Sequence, residues 1–199
     1  MTALRNTPVA LNSEAAPFVI RAERGSDVVA REALLDACFG ASRHARTCQR
    51  LRDGRAPAEG LALSALREDR LVGTVRLWHV SLGGVPALVL GPLAVDPSCQ
   101  KLGVGAALTE RALLAARRLG HGAVILLGDA AYYARFGFSA LKTGELSLPG
   151  PFERDRLLGL ELRGGALDGA SGMIAPTGAP AAEEPRRGAR APRLVRRAA

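Results

Sequence analysis

Two apolar segments joined by a glycine-containing loop and a helix most limit the folds open to this chain. The segment from Pro86 to Val95 ("PALVLGPLAV") is apolar on both faces, which is typical of a buried central strand. The loop "QKLGVG" (100–105) follows it and leads into an apolar-periodic helix, Gly103 to Leu119. A second apolar run, "GAVILLG", predicts another buried strand. This order restricts the chain to folds in which helices pack on a sheet.

The glycine loop has the features of an anion-binding site. Gly103 and Gly105 let the backbone approach a ligand closely, because neither carries a side chain. The helix that begins there directs free N–H groups and the positive end of its dipole outward. The residues alone leave a plain alternative, in which the two glycines only permit a tight turn.

Two familiar phosphate-binding motifs fit this loop poorly. A nucleoside-triphosphate loop needs Gly-Lys-Ser or Gly-Lys-Thr, which is missing here. A dinucleotide-binding fold agrees with the strand, the Gly-x-Gly, the helix and a second strand that ends near Asp129. However, "DPSCQKL" separates the strand from the first glycine, and Leu108 stands where a third small residue would pack. Too little chain also remains to complete a doubly wound sheet.

Upstream of the apolar strand, a strand, two helices and a hairpin are predicted. "FVIRAER" (18–24) indicates a first strand, and Asp27 can cap the helix after it. The very basic "SRHARTCQRLRDG" (42–54) predicts a second helix. "LALSALRE" and "LVGTVRLWHV", on either side of Asp69 and Arg70, predict the hairpin.

Pro92 predicts an irregularity in the central strand. Proline cannot donate a hydrogen bond to a neighbouring strand, so we expect the strand to be bulged or splayed there. Downstream, "AAYYARFGF" predicts a short helix closed by Gly137, and "RLLGLELR" predicts a late strand.

The central motifs together resemble those of the GNAT superfamily of N-acetyltransferases. "LAVDPSCQKLGVGAALTERAL" resembles that family's acetyl-CoA-binding motif, in which a strand turns through Asp-Pro and presents Gln-x-x-Gly-x-Gly at a helix start. "YYARFGF" (132–138) resembles the family's next motif, with one strand between the two, as in the family. "GDAAYYARFGF" with the later "ELRGGALDGASGMI" is similar to a bacterial subgroup of predicted acetyltransferases with mostly unassigned substrates.

The resemblance implies an α/β (α+β) fold with a mixed, mostly antiparallel central sheet, a splayed central strand and flanking helices. It also implies that acetyl-CoA is the cosubstrate, that no metal is needed, and that the acceptor is a primary amine of a small molecule or a protein. Two alternatives stay open: a CoA-binding regulatory or interaction module without turnover, and a dinucleotide-dependent enzyme.

The resemblance also assigns the residues that bind the cosubstrate. Backbone N–H groups of the loop would hold the pyrophosphate with Gln100 nearby, while Lys101 either helps electrostatically or remains a solvated surface charge. The pantetheine arm would pair with the central strand, where the Leu93 N–H would polarise the thioester carbonyl. The assigned set is Leu93, Ala94, Val95, Gln100, Lys101, Leu102, Gly103, Val104 and Gly105.

Tyr133 aligns with the family tyrosine that faces the thiol and is assigned as the general acid, with Tyr132 pointing elsewhere on the helix. From the residues alone, both tyrosines could be core residues with satisfied hydroxyls. The general base is not assigned. Because a lysine-like amine is unprotonated in only about one molecule in 10³ to 10⁴ at neutral pH, its deprotonation needs help. His79, Glu68, Asp129 and a water chain all remain candidates.

Composition divides the chain into three parts. Residues 1–16 are interpreted as a flexible N-terminus, 17–170 as the acetyltransferase domain, and 171–199 as a Gly/Ala/Pro/Arg-rich tail, disordered from about 180. Residues 181–199 hold six Arg and two Glu, which is half of the formal net charge of +8. No aromatic residues are interleaved with these arginines, so we expect only non-specific contact with nucleic acid.

Cysteine usage and the lack of long apolar runs predict a cytoplasmic protein. The three cysteines are scattered without metal-site spacing, which favours reduced thiols. No segment has the length and composition of a signal peptide or a membrane span.

The acceptor is not predicted by any motif. The basic "SRHARTCQRLR" (42–52) either favours an acidic acceptor or is an exposed helix face, and the second interpretation is preferred. The oligomeric state also stays open, with a homodimer as one option.

Overall fold

The computed structural model describes residues 18–181. Within this range, the strands are β1 (Val19–Ala22), β2 (Ala62–Arg67), β3 (Arg70–Leu82), β4 (Val85–Val95), β5 (Ala123–Leu127), β6 (Leu146–Ser147), β7 (Leu157–Glu161) and β8 (Gly172–Pro176). The α-helices are α1 (Val28–Phe39), α2 (Val104–Arg118) and α3 (Ala130–Ala134). Short 3₁₀-helices cover Gly25–Asp27, Ala41–Ala45, Thr47–Leu51, Pro97–Cys99 and Arg154–Arg156.

The strands form one mixed sheet with the order β1-β2-β3-β4-β5-β7. Along this path only β4 and β5 run parallel, because α2 carries the chain across between them. β8 pairs with the far end of β3, and the short β6 pairs with β8. This confirms the predicted mixed, mostly antiparallel sheet.

The predicted hairpin is present, with its turn one residue earlier than Asp69–Arg70. Glu68 and Asp69 both have positive φ, 50° and 60°, while Arg70 already belongs to β3. Two consecutive left-handed residues match the right-handed twist of the flanking strands, so they make a tight two-residue turn.

The irregularity predicted at Pro92 is a β-bulge. Val75 of β3 lies opposite Leu93, but Leu77, two residues on, lies opposite Leu90. Two residues of β4, Gly91 and Pro92, therefore lie opposite a single residue of β3, as in a bulge. The indole Nε1 of Trp78 donates to the Gly91 carbonyl at 2.7 Å and holds the bulge in place.

The strand next to the bulge is also splayed, as predicted. β4 and β5 are paired only at Leu88 with Val124 and at Val89 with Ile125. From the bulge onward the two strands separate and leave a space that we call the β4–β5 gap.

Helix α2 covers one face of the sheet. Its apolar side, including Leu108 and Ala112, is fully buried, and Gly73 lies beneath it. A second apolar cluster on the other face contains Trp78, Ile125 and Leu146. None of the helices between residues 18 and 181 is long and apolar enough to cross a membrane.

Asp27 does not cap α1 in the predicted way, because its carboxylate is occupied elsewhere. It accepts hydrogen bonds from the Arg21 guanidinium, the Arg24 N–H and the Ser64 hydroxyl. Hydrogen bonds from Arg21 hold the pKa of Asp27 well below its usual range. Asp27 therefore ties β1 to β2 at the start of α1.

The basic segment 42–54 is not the single helix that was predicted. It contains two 3₁₀-helices, interrupted at Arg46, whose backbone is extended (φ −68°, ψ 144°). The hydroxyl of Thr47 donates to the Pro151 carbonyl at 2.5 Å, which anchors the second 3₁₀-helix to a distant loop. Contacts that are remote in sequence thus replace the helical ladder.

Residues 171–181 belong to the folded domain rather than to the tail. β8 pairs with Val80–Leu82, and Ala181 N donates to the Gly54 carbonyl at 2.9 Å. The Gly- and Ala-rich composition hid this strand, because it lacks an alternating apolar pattern. The interpretations of residues 1–16 and of the tail from 182 onward lie outside the described residues.

The close approach of Gly83 to Ser171 allows a test of this boundary. Gly83 lies in the β3–β4 turn at φ 62°, and a Cβ there would overlap the Ser171 carbonyl oxygen. We expect Gly83→Ala to lower the free energy of unfolding by more than about 2 kcal/mol, measured by denaturant titration. Gly84→Ala is the control, since Gly84 has φ 104° but no described residue has an atom within 4 Å of the position that its Cβ would take. Equal losses in the two variants would contradict the packing of residue 171 on this turn.

Candidate functional site

The glycine loop presents unpaired amides at the start of α2. Gly103 is the N-cap in the left-handed conformation (φ 79°, ψ 3°), and no atom of residues 18–181 lies within 4 Å of the position that a Cβ would take there. Ala107 N is bonded to the Gly103 carbonyl at 3.0 Å, so the four amides at 103–106 precede the helical ladder. Lys101, Leu102 and Gly103 are exposed. The loop therefore offers a group of N–H donors and the positive end of α2 to an anion.

A hydrogen-bonded turn fixes how the chain enters this loop. Asp96 Oδ1 accepts from the Ser98 N–H at 2.9 Å, and Arg70 donates to the other carboxylate oxygen at 3.0 Å. The hydrogen bonds from Ser98 lower the pKa of Asp96. The turn positions exposed Gln100 and Lys101 beside the N-terminus of α2.

The Leu93 N–H faces the β4–β5 gap. Asp96 N donates to the Val72 carbonyl at 2.8 Å, so the backbone groups of Asp96 and Ala94 point towards β3. Those of Leu93 point the opposite way, since hydrogen-bonding direction alternates along a strand. No pairing with β5 extends this far, so Leu93 has a free donor in the gap.

Tyr132 faces the glycine loop, in a different direction from Tyr133. A Cβ atom added to Gly105 would lie 3.3 Å from the Tyr132 hydroxyl and 3.5 Å from Val95 Cγ2. A larger residue at 105 would therefore displace the tyrosine or the strand. The Arg135 guanidinium covers the Tyr132 ring at 4.7 Å. Sequence reasoning missed Tyr132 because nothing in the helix pattern reveals contact with the loop.

A cleft of about 740 Å³ opens where β4 bulges. This volume lies within the range of small-molecule sites. Strand β4 contributes residues 90–93, the end of β5 and the turn after it contribute residues 126–129, and Tyr133 lies at one side. The walls come from the segment between Phe39 and Arg52 and from the loop containing Phe152. Leu93 thus connects the cleft to the gap and, through Val95, to the glycine loop.

Tyr133 is held by close packing beside the cleft. Its ring meets Phe138 edge-on at 5.7 Å and lies against Gly128, where a Cβ would overlap it. Burial raises the pKa of Tyr133 to about 12, because the phenolate would be poorly solvated. The phenol therefore keeps its proton and can act as a hydrogen-bond donor.

Only one of the three side chains considered as a base lines the cleft. Asp129 does so, and its Oδ1 also accepts from the Tyr132 N–H at 2.6 Å as the N-cap of α3. His79 lines a separate cavity of about 370 Å³, where its ring lies 5.3 Å from that of His121. Glu68 is an exposed turn residue.

Glu153 and Cys48 also line the cleft and were not considered from sequence. Glu153 adds a second carboxylate, with Oε1 3.5 Å from Arg156. Burial raises the pKa of the Cys48 thiol, so a thiolate nucleophile is disfavoured. Residues 18–181 contain no group of three or more His, Cys, Asp or Glu side chains that could hold a metal ion.

The basic segment 42–54 forms a wall of the cleft instead of the exposed helix face that was preferred from sequence. Arg43, Arg46 and Arg52 line the cleft from this segment, and Arg156 lines it from the opposite loop. The site is therefore more cationic than its two carboxylates, Asp129 and Glu153, can balance.

Comparison with known proteins gives consistent matches. The family model of the acetyltransferase (GNAT) domain matches residues 58–140, from just before β2 to just after α3. The chain is 29% identical over 159 residues to the N-acetyltransferase YhbS of Escherichia coli K12, covering 79% of this chain and 95% of that protein.

Two solved structures share the fold. The crystal structure of YhbS from Escherichia coli in complex with CoA superposes with a TM-score of 0.70 and 28% identity, covering 87% of this chain and 94% of the other. A GNAT family acetyltransferase from Brucella melitensis in complex with acetyl-CoA gives a TM-score of 0.55 and 25% identity, covering 73% and 96%.

Proposed function

Because this chain belongs to the GNAT superfamily of N-acetyltransferases, we propose that its cleft transfers the acetyl group of acetyl-CoA to the primary amine of an acceptor. One observation carries the proposal. The free Leu93 N–H faces a gap that joins the glycine loop at one end to a cleft beside Tyr133 at the other. Acetyl-CoA placed there would have its phosphates beside the glycine loop, its thioester carbonyl beside the Leu93 N–H and its sulfur beside Tyr133.

The glycine loop is the proposed pyrophosphate site. Amides of residues 103–106 would donate to the phosphate oxygens, with Gln100 and Lys101 next to them, since the Leu102 amide already donates to the Cys99 carbonyl at 3.4 Å. The pantetheine arm would lie in the β4–β5 gap along Leu93–Val95. Support comes from two relatives of similar fold, whose structures were solved with CoA and with acetyl-CoA.

The Leu93 N–H is the proposed polariser of the thioester carbonyl. The amine lone pair attacks the carbonyl carbon and forms the C–N bond, which leaves negative charge on the oxygen. A fixed N–H donor stabilises this charge. The C–S bond then breaks, its electron pair leaves with sulfur, and the amine nitrogen loses one proton. Asp129, Glu153 or water accepts that proton.

Tyr133 is proposed to stabilise the leaving sulfur. A thiol has a pKa of about 8.5, so complete transfer of a proton from a phenol with a pKa of about 12 would be uphill by roughly 5 kcal/mol. Hydrogen-bond donation avoids this cost while charge develops on sulfur. The proton that finally neutralises the thiolate would then come from solvent.

The proposal extends to the cell compartment. The three cysteines are free, which is consistent with a reducing cytoplasm.

The acceptor classes to be compared are acidic or amino-acid-like amines, polyamines, aminoglycosides and protein N-termini.

Amine-dependent release of free thiol tests the proposed function. Purified protein is mixed with acetyl-CoA and pools of amines from these classes, and CoA thiol is detected together with the mass of the acetylated product. We expect release with at least one pool and none without an amine. Binding of acetyl-CoA with no release would favour the interaction module. Binding of a nicotinamide dinucleotide in place of acetyl-CoA would favour the dinucleotide-dependent enzyme.

A further inference from the structure

Arg52 brings a positive charge to the bulge. Its Nη1 lies 4.0 Å from the Cβ position of Gly91, and Leu93 N lies at the same distance from that position. Arg52 Nη1 and the Leu93 nitrogen are therefore separated by no more than twice 4.0 Å. Both line the same cleft.

No carboxylate in the part of the chain that the structure describes neutralises this guanidinium. No carboxylate among residues 18–181 lies within ion-pair distance of Arg52. Its Nε is buried and has no hydrogen-bond partner. Burial lowers the pKa of Arg52, yet an arginine remains charged at neutral pH. An uncompensated guanidinium that lines a cleft favours binding of an anion there.

The neighbouring arginines differ from Arg52 in this respect. Arg43 is held by Glu32 and Asp36, the latter at 2.7 Å, so its charge has a structural role. Arg46 stacks on the Phe39 ring at 5.0 Å. Arg46 has no ion-pair partner among the described residues, and its exposed side chain lines the cleft.

We propose that the acceptor is a small amine that carries its own anionic oxyacid group, such as a carboxylate, and that Arg52 binds this group. The proposal rests on the proposed function. Because Arg52 lies close to the Leu93 donor, the anion and the amine must be separated by only a few bonds. An amino-acid-like acceptor meets this condition, whereas a lysine side chain of a folded protein does not. Arg46 would attract the same anion at the entrance.

A different role for Arg52 makes a different prediction. If its guanidinium polarised the thioester instead, its loss would slow charged and neutral acceptors equally. If it binds the anion of the acceptor, its loss would raise KM for anionic acceptors alone. Matched pairs of acceptors therefore separate the two roles.

The test compares small amino acids with their carboxamides, and the corresponding aminoalkyl phosphonates, as acceptors. For the wild type we expect kcat/KM to favour an acid over its amide by at least about tenfold, in line with a charge-assisted hydrogen bond. The phosphonates show whether the site selects a carboxylate or any oxyanion. In Arg52→Met the preference should fall to near unity through KM, with acetyl-CoA affinity unchanged by calorimetry.

Arg50→Met is the matched control. Arg50 lies in the same segment and loses the same charge, but it is exposed, donates to the Pro149 carbonyl and does not line the cleft. The preference of the Arg50→Met variant for acids over amides should equal that of the wild type. If Arg52→Met does not fold, Arg52→Lys retains the charge and should keep part of the preference.

A binding measurement without turnover supports the same distinction. Trp78 is the only tryptophan in the sequence, and its indole Nε1 donates a hydrogen bond to the Gly91 carbonyl at the bulge. In the presence of CoA, we expect the probe amino acids to change Trp78 fluorescence in the wild type and in Arg50→Met, but much less in Arg52→Met.

Three results would overturn the role of Arg52. The wild type could acetylate acids and amides at equal rates, Arg52→Met could lose activity equally towards both, or the wild type could acetylate only amines that lack an acid group. Failure to bind acetyl-CoA, or to acetylate any amine, would instead overturn the proposed function.

Discussion

Replacing Gly103 with glutamate is expected to abolish acetyl-CoA binding while the protein stays folded. Within the described part of the chain, no atom lies within 4 Å of the position that a Cβ would take at Gly103, so the new side chain has room. Its carboxylate would stand at the N-terminus of α2, where the pyrophosphate is proposed to bind. Two unit charges 4 Å apart near a protein surface repel by about 4 kcal/mol. We therefore expect calorimetry to show affinity reduced by at least about a hundredfold.

Gly103→Ala separates charge from backbone strain. Alanine shares the unfavourable positive φ of 79° but adds no charge. We expect it to lose a little stability and to keep acetyl-CoA affinity within a few-fold of the wild type. If Gly103→Glu bound acetyl-CoA as tightly as Gly103→Ala, the loop would not be the pyrophosphate site.

Removing the Tyr133 hydroxyl should lower turnover by at least about tenfold, a cautious bound below the usual effect of a proton donor. Acetyl-CoA affinity should change little in Tyr133→Phe, because the phosphates and pantetheine are held elsewhere. Burial raises the pKa of Tyr133 to about 12, so the donating, protonated form persists to higher pH than for a free phenol. Ionisation of Tyr133 should therefore cause no fall in wild-type turnover between about pH 8 and pH 10.

Tyr132→Phe is the matched control, since it removes the same hydroxyl one residue away. The Tyr132 hydroxyl lies near Gly105 rather than beside the cleft. We expect turnover near that of the wild type at saturating acetyl-CoA, with at most a small change in its affinity. Equal rates for Tyr133→Phe and wild type, with chemistry rate-limiting, would remove Tyr133 from the mechanism.

Features that depend on local backbone chemistry were predictable from sequence. Pro92 cannot donate within a sheet, and the bulge lies where this required it. The apolar periodicity that predicted helix α2 is also seen in its packing, since its apolar side, including Leu108 and Ala112, is fully buried. The turn through Asp96 and the left-handed Gly103 follow from residue types that favour such conformations.

Features that depend on distant contacts were not predictable. The basic charges of segment 42–54 favoured an exposed helix, but anchoring of Thr47 to the loop at Pro151 turns this segment into a wall of the cleft. Strand β8 has too few apolar residues to reveal that it pairs with β3. The place of Tyr132 beside Gly105 depends on how α3 meets α2. In each case, the partner is remote in sequence and has no pattern of its own.

The stability of the folded protein with and without acetyl-CoA tests the central claim most directly, because it needs no knowledge of the acceptor. A ligand that binds only the native state at about 100 times its dissociation constant stabilises it by roughly 2.7 kcal/mol. We expect acetyl-CoA to raise the free energy of unfolding of the wild type by about this amount at that ratio, and to leave Gly103→Glu unchanged. No stabilisation of the wild type at millimolar acetyl-CoA would contradict the assignment of the loop and the β4–β5 gap to this cosubstrate.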